Sequence, residues 1–259
     1  MPMHTSSTAR LHVIPARESS LALVLRRGPT RQVCTLLWDR HNDKFKIGQW
    51  LKARIAVDKC DLSPDGRYFI YFAVTGKWDS EAKGSYTAVS RAPWLKALAL
   101  YPLGDCWAGG GLFTSNRTYW LNDRGWAQHT LLRESAEVER DFEFMKWTRG
   151  PEQAYALRLE REGWIWKAAA KIYEKLLPAG WTLRKYVRTQ REKHELVQPE
   201  TGRVLPYPDW EWADLDRKTL VWAAAGCLYR ARLKQAGPAP AKLLYDFNPM
   251  KFEPRIAPY

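Results

Sequence analysis

The chain has 259 residues, 46% of them hydrophobic, with 14 Trp and 12 Tyr. That composition excludes wholesale disorder and leaves room for one large all-β domain or two modest ones. Lys and Arg outnumber Asp and Glu by 41 to 28, a net charge of +13. The balance suits acidic partners such as nucleic acid, anionic lipid or an acidic protein, although an Arg-, Ala- and Pro-rich genome produces it as well. No apolar run approaches the ~20 residues that a membrane helix needs. The opening MPMHTSSTAR lacks the apolar stretch of a signal peptide. A cytoplasmic protein with no membrane partner is expected.

Residues 1–9 read as a frayed terminus, and residues 10–259 as one domain. LHVIPA, LALVLRR and VCTLLWDR are three short β-like runs, followed by a polar loop, HNDKFKIGQW, that returns to Phe45 and Trp50. ARIAVDKCDLSPDGRYFIYFAV then predicts a strand, a Ser63-Pro64-Asp65-Gly66 turn and a second strand. Pro64 presets φ for the turn and Gly66 tolerates a positive one. Tyr68, Ile70 and Phe72 alternate with Phe69, Tyr71 and Ala73, so both faces of that strand are apolar and expected to be buried.

A loop, TGKWDSEAKG, leads to SYTAVSRAP, LKALALYP, CWAGGGLFTSN and RTYWLND, all β-like. The Gly109-Gly110-Gly111 run lacks the Lys-Ser/Thr of a phosphate loop and marks a strand passing close to neighbouring backbone. Residues 131–150 fit a helix or a polar connector ending in a short strand, FEFMKW. AYALRLEREGWIWKAAAKIYEKLL predicts strands about a Glu162-Gly163 hairpin turn, with a helix left open at WKAAAKIYEKLL. WTLRKYV, KHELVQPETGRVLPYP and WEWADLDRKTLVWAAAGCLYRARL complete the β-rich pattern before a Pro-rich exit.

Three stretches share a loose strand–turn–strand layout: KCDLSPDGRYFIYFAV, EQAYALRLEREGWIWKAA and WADLDRKTLVWAAAGCLYRARL. At about 40–50 residues per unit they suggest an all-β fold, a small propeller of about five irregular blades closed by its N- and C-terminal strands. DLSPDGRYFIYFA resembles the strand-turn-strand signature of WD40-like propeller blades. The wider GQWLKARIAVDKCDLSPDGRYFIYFA stretch is similar to a group of uncharacterised bacterial proteins. The resemblance implies a fold and supplies no catalytic residues. The chain departs from the WD40 pattern in lacking regularly spaced Gly-His and Trp-Asp pairs.

The chemistry-bearing residues are scattered. Cys34, Cys60, Cys106 and Cys227 form no CxxC pair, which predicts reduced thiols. His4, His12, His41, His129 and His194 have no metal-ligand spacing, and neither metal nor cofactor is expected. Two acidic groups, Asp58/Asp61/Asp65 and Asp209/Glu211/Asp214/Asp216, could serve a glycosidase but fit turn-holding better. Arg26, Arg27 and Arg31, and the run Arg184, Lys185, Tyr186, Arg188 and Arg191, are the densest basic patches and candidate nucleic-acid contacts. Trp78, Arg91, Trp94, Trp107 and Trp126 lie at loops and are candidate anchors for a partner. The function expected is a non-enzymatic scaffold for protein–protein interaction in a larger bacterial assembly, with another protein as its partner. The alternatives are a nucleic-acid-binding accessory subunit and a carbohydrate-binding or glycoside-active propeller.

Overall fold

The computed structural model describes residues 8–122, 131–144, 153–187 and 192–259. Among the described residues, chain order generates five successive sheets. The first holds β1 (Arg10–Pro15), β2 (Leu21–Arg27), β3 (Val33–Asp39) and β4 (Lys44–Leu51). The second holds β5 (Arg54–Ile55), β6 (Asp61–Leu62), β7 (Tyr68–Val74), β8 (Ser85–Arg91) and β9 (Ala97–Pro102). The third is β10 (Gly111–Phe113), β11 (Thr118–Leu121) and β12 (Glu139–Arg140), and one helix, α1 (Gln153–Arg161), follows it. The fourth is a meander of β13 (Ile165–Lys167), β14 (Ile172–Leu176), β15 (Thr182–Tyr186), β16 (Lys193–Gln198) and β17 (Arg203–Tyr207). The fifth comprises β18 (Trp210–Asp216), β19 (Thr219–Ala224), β20 (Cys227–Lys234), β21 (Gly237–Pro238) and β22 (Lys242–Asp246).

The architecture is therefore all-β with several antiparallel sheets, as at β2–β3 and β7–β8; β11 and β12 pair parallel. Among the described residues no sheet closes on itself: β1 pairs with β2, and β22 pairs with β20. No described helix is long and apolar enough to cross a membrane. Internal contacts divide the chain into two compact units, residues 13–158 with 252–259, and residues 1–12 with 159–251.

In the first of these units β7 is the central strand. Its Phe69, Tyr71 and Ala73 pack with Leu23, Leu25 and Val33 of the first sheet. Its Tyr68 and Ile70 face the other way, into a core with Phe113, Tyr119 and Leu121 of the third. A strand's side chains alternate, so burial on both faces explains the unbroken apolar run. The SPDG turn is held as its residue types dictate. The Ser63 hydroxyl donates to Asp65 Oδ1 (2.6 Å), which also accepts from Arg67 N (3.0 Å), and Gly66 sits at φ +80°. Asp61 instead accepts from Phe113 N (2.8 Å), tying the second sheet to the third.

Three sequence expectations need correction. Of the expected polar loop HNDKFKIGQW only residues 41–43 turn; from Lys44 on it is β4, whose Phe45 stacks on Trp38 of β3. QAYALRLER is helix rather than strand: Ala154, Tyr155 and Leu159 are buried, together with Arg158, and this i, i+1, i+4, i+5 spacing is a helical stripe. The Glu162-Gly163 pair caps that helix instead of turning a hairpin. Gly163 N donates to Glu160 O (3.0 Å) and Trp164 N to Leu159 O (2.9 Å), with Gly163 at φ +85°. This is the double bond of a Schellman cap, so Gly163→Ala is expected to lower stability by about 1 kcal/mol in urea unfolding. WKAAAKIYEKLL forms the β13–β14 hairpin, sheet pairing having overridden its helix propensity. Residues 142–144 lie outside any strand, and the rest of FEFMKW falls outside the described residues. The predicted frayed terminus also falls mostly outside them.

Candidate ligand-binding site

In the unit of residues 13–158 and 252–259, a hollow of about 800 Å³ opens between β9, β11 and the segment 131–142. The far wall of the hollow is lashed to the sheets by polar bonds. Leu100 and the segment exchange backbone bonds, Leu100 N to Arg133 O (3.0 Å) and Leu132 N to Leu100 O (2.8 Å). Arg117 donates to Ala136 O (2.6 Å) and Glu137 O (2.7 Å). Arg91 grips the Glu137 carboxylate with two nitrogens (2.7 and 2.6 Å), which holds the Glu137 carboxyl below its ordinary range. Asp141 N donates to Tyr119 O (2.7 Å), and the Thr114 hydroxyl to Asp141 Oδ2 (2.9 Å).

Apolar side chains of Ala99, Leu131 and Val138 line the hollow with the rings of Tyr101, Tyr119 and Phe142. Tyr101 and Tyr119 share a hydroxyl–hydroxyl hydrogen bond of 2.7 Å, and burial raises both phenols above their ordinary pKa, so both stay protonated at neutral pH. The Arg140 guanidinium carbon lies 4.6 Å from the centre of the Phe142 ring and 5.9 Å from that of Tyr101. Phe142 is 73% exposed. Glu134 and Glu139 also line the hollow. The site thus offers flat apolar faces, one guanidinium and two carboxylates.

Of the residues singled out in the sequence, Arg91 acts here as a clamp on Glu137, with its guanidinium 4.5 Å over the Tyr259 ring. Trp94 lies beside it, its N–H bonded to Arg91 O (2.7 Å) and its ring 5.9 Å from Lys46 Nζ. Trp107 is 70% exposed; its backbone N–H binds Asp105 Oδ1 (2.8 Å). Trp78 is half exposed and lies across Gly84, where a Cβ would fall 2.3 Å from its ring. Trp126 falls outside the described residues, as do Arg188 and Arg191.

Strand geometry disperses the basic patches. Arg26 is buried, bonded to Gly28 O and stacked 5.2 Å over Trp50, while Arg27 is half-buried and Arg31 exposed at the turn beyond β2. In the other unit, β15 sends Arg184 and Tyr186 to one side and buries Lys185 on the other. Arg184 is paired with Glu174 (2.8 Å) and Glu195 (3.3 Å), and the Tyr186 hydroxyl donates to Glu195 (2.7 Å). In the second acidic group, Asp214 pairs with Lys175, Asp216 with Arg230 (2.7 Å), and Glu211 accepts from Leu11 N (2.6 Å). Among the described residues no group of three His, Cys, Asp or Glu could hold a metal.

No family matches the chain, and no curated protein matches it. Solved structures align over most of its length. A prolyl endopeptidase does so at 8% identity and a TM-score of 0.33, over 92% of this chain and 36% of the peptidase. An uncharacterised protein of Listeria monocytogenes aligns at 10% identity and a TM-score of 0.34, over 92% of this chain and 83% of the other. An acylaminoacyl peptidase aligns at 10% identity and a TM-score of 0.32, over 94% of this chain and 53% of the peptidase. The chain spans about a third of the first of these proteins and about half of the last. The expectation of a non-enzymatic scaffold finds no support here, two of the three being named as peptidases. Similarity this low transfers neither activity nor any residue's role.

The hollow itself escaped sequence reasoning because its walls come from β9, β11 and a segment with no periodic pattern. The one available signal was an Arg140-Asp141-Phe142 stretch that places an aromatic ring among charges.

Proposed function

We propose that the chain is a ligand-binding domain whose hollow takes an aromatic zwitterion, a planar ring carrying a carboxylate and an amine, as in aromatic amino acids. The observation that carries this reading is Arg140 lying over Phe142 at the mouth of an aromatic-walled hollow. A guanidinium whose face rests on rings presents its N–H edge to a carboxylate, the geometry of bidentate recognition. The ligand ring would lie against Tyr101 and Phe142, and its ammonium would meet Glu134 or Glu139. The volume falls in the range of small-molecule sites. The five sheets are, in this reading, blades of one irregular WD40-like propeller in a cytoplasmic protein.

The test is an NMR saturation-transfer panel of L-phenylalanine, L-tryptophan, benzoate, benzylamine and L-leucine. The aromatic amino acids should bind, and benzoate, benzylamine and leucine should bind more weakly. Arg140→Gln should weaken binding roughly tenfold to a hundredfold, the worth of a hydrogen bond to a charged group. Equal signals across the panel, or none, would dismiss the proposal.

A further inference from the structure

In the unit formed by residues 1–12 and 159–251, four rings stand in a row across neighbouring strands. Tyr207 stacks on Trp210 with centroids 3.8 Å apart, Trp210 on Trp222 at 5.0 Å, and Trp222 on Tyr229 at 5.7 Å. The interplanar angles are 10°, 20° and 20°. The two indoles are buried and the two phenols at the ends are half-buried. Cross-strand stacking of this kind stabilises sheets, and the ladder does that here. Its far end is not a packing feature. Tyr229 and Cys227, two apart on β20, lie on one face of the strand. The Cys227 thiol in turn points at Asp246 Oδ1 (3.4 Å), and Asn248 Nδ2 donates to the sulfur (3.7 Å).

We infer that this row is a relay that carries one-electron oxidation from the buried indoles to the Cys227 thiol. Rings in van der Waals contact exchange electrons readily, and burial penalises the charge of an indole radical cation. At the other end the thiol can shed its proton to an adjacent carboxylate and be left neutral. An oxidant of the radical class, such as carbonate or azide radical, takes one electron from Trp210 or Trp222 and becomes its anion. The electron that refills the indole passes through Tyr229 from Cys227. The S–H bond breaks, its proton goes to the Asp246 carboxylate, and a thiyl radical remains on sulfur. A thiol in solution then returns a hydrogen atom. The half-buried position of Cys227 permits that exchange.

Azide radicals generated by radiolysis with a nitrone spin trap test the relay, the trapped site being read by peptide mass spectrometry. Wild-type protein should carry the adduct at Cys227. Tyr229→Phe and Trp222→Leu should each lose most of it, while alkylation of Cys227 by iodoacetamide stays unchanged. Exposed Cys106, which lies outside the ladder, should label equally in all three proteins. An unlabelled Cys227 in the wild type, or a label unaffected by Tyr229→Phe, would overturn the relay. Tyr229→Phe alone decides the matter if Trp222→Leu does not fold.

Discussion

Gly110→Ala is expected to cost upward of about 3 kcal/mol, or to abolish soluble expression. A Cβ on Gly110 would fall 2.1 Å from the carbonyl oxygen of Lys59, and the residue sits at φ +77°. Its N–H is committed to Thr87 Oγ1 at 2.7 Å, which holds the backbone against relaxation. Lys59 cannot move away, because its ammonium binds Cys106 O (2.8 Å), Trp107 O (3.3 Å) and Ala108 O (2.8 Å). It also rests 4.5 Å over the Phe72 ring. Gly104→Ala supplies the comparison, since Gly104 has a similar φ of +83° but its nearest neighbour would be 3.7 Å away. That variant should lose only the cost of the left-handed backbone, about 1–2 kcal/mol. Urea midpoints that fall together for the two variants would show that close approach is not what Gly110 provides.

The second large effect is acid sensitivity from His194. This ring is fully buried on β16, with Nδ1 3.1 Å from Trp210 O and Nε2 3.7 Å from Glu192 Oε2. Burial first, and then the Lys185 ammonium, lowers its pKa from 6.5 to about 4, against the opposing pull of Glu192 and Asp214. A neutral folded histidine means that the unfolded chain takes up the proton first. Stability should therefore be unaffected above pH 7 and fall as pH drops from 6.5 towards 4. The slope is about 1.4 kcal/mol per pH unit, so the loss from this group reaches roughly 2 kcal/mol at pH 5. His194→Gln removes that slope whatever it does to stability at neutral pH. Unfolding free energies at pH 7.5 and 5.0 should differ by about 2 kcal/mol more in wild type than in the variant. Parallel pH profiles would refute the assignment.

Local chemistry was legible wherever one residue type solves one local problem. The SPDG turn, the two-faced β7 and the Gly109–Gly111 close approach all follow from side-chain size and φ preference, and each stands where the sequence puts it. Asp65 holds backbone of its own turn, as expected of an acid there, whereas Asp61 on β6 instead binds Phe113 N of the third sheet. Local pattern misleads where two periods coexist. AYALRLER satisfies alternation loosely and helical spacing better, and Gly163 fits a hairpin turn as well as a helix cap. Basic residues adjacent in sequence form no patch on a strand, which sends neighbours to opposite faces, as Arg184 and Lys185 show. The hollow depends on contacts between Tyr101 and Tyr119 and on Arg140 reaching Phe142 and Tyr101, pairings set by register that no local pattern encodes.

The binding proposal is tested most directly by a crystal structure of the protein soaked with L-tryptophan. The indole is expected between Tyr101 and Phe142, with the carboxylate on Arg140 and the ammonium within hydrogen-bond reach of Glu134 or Glu139. Density for tryptophan elsewhere on the surface, with the hollow holding only water at saturating ligand, would contradict the assignment.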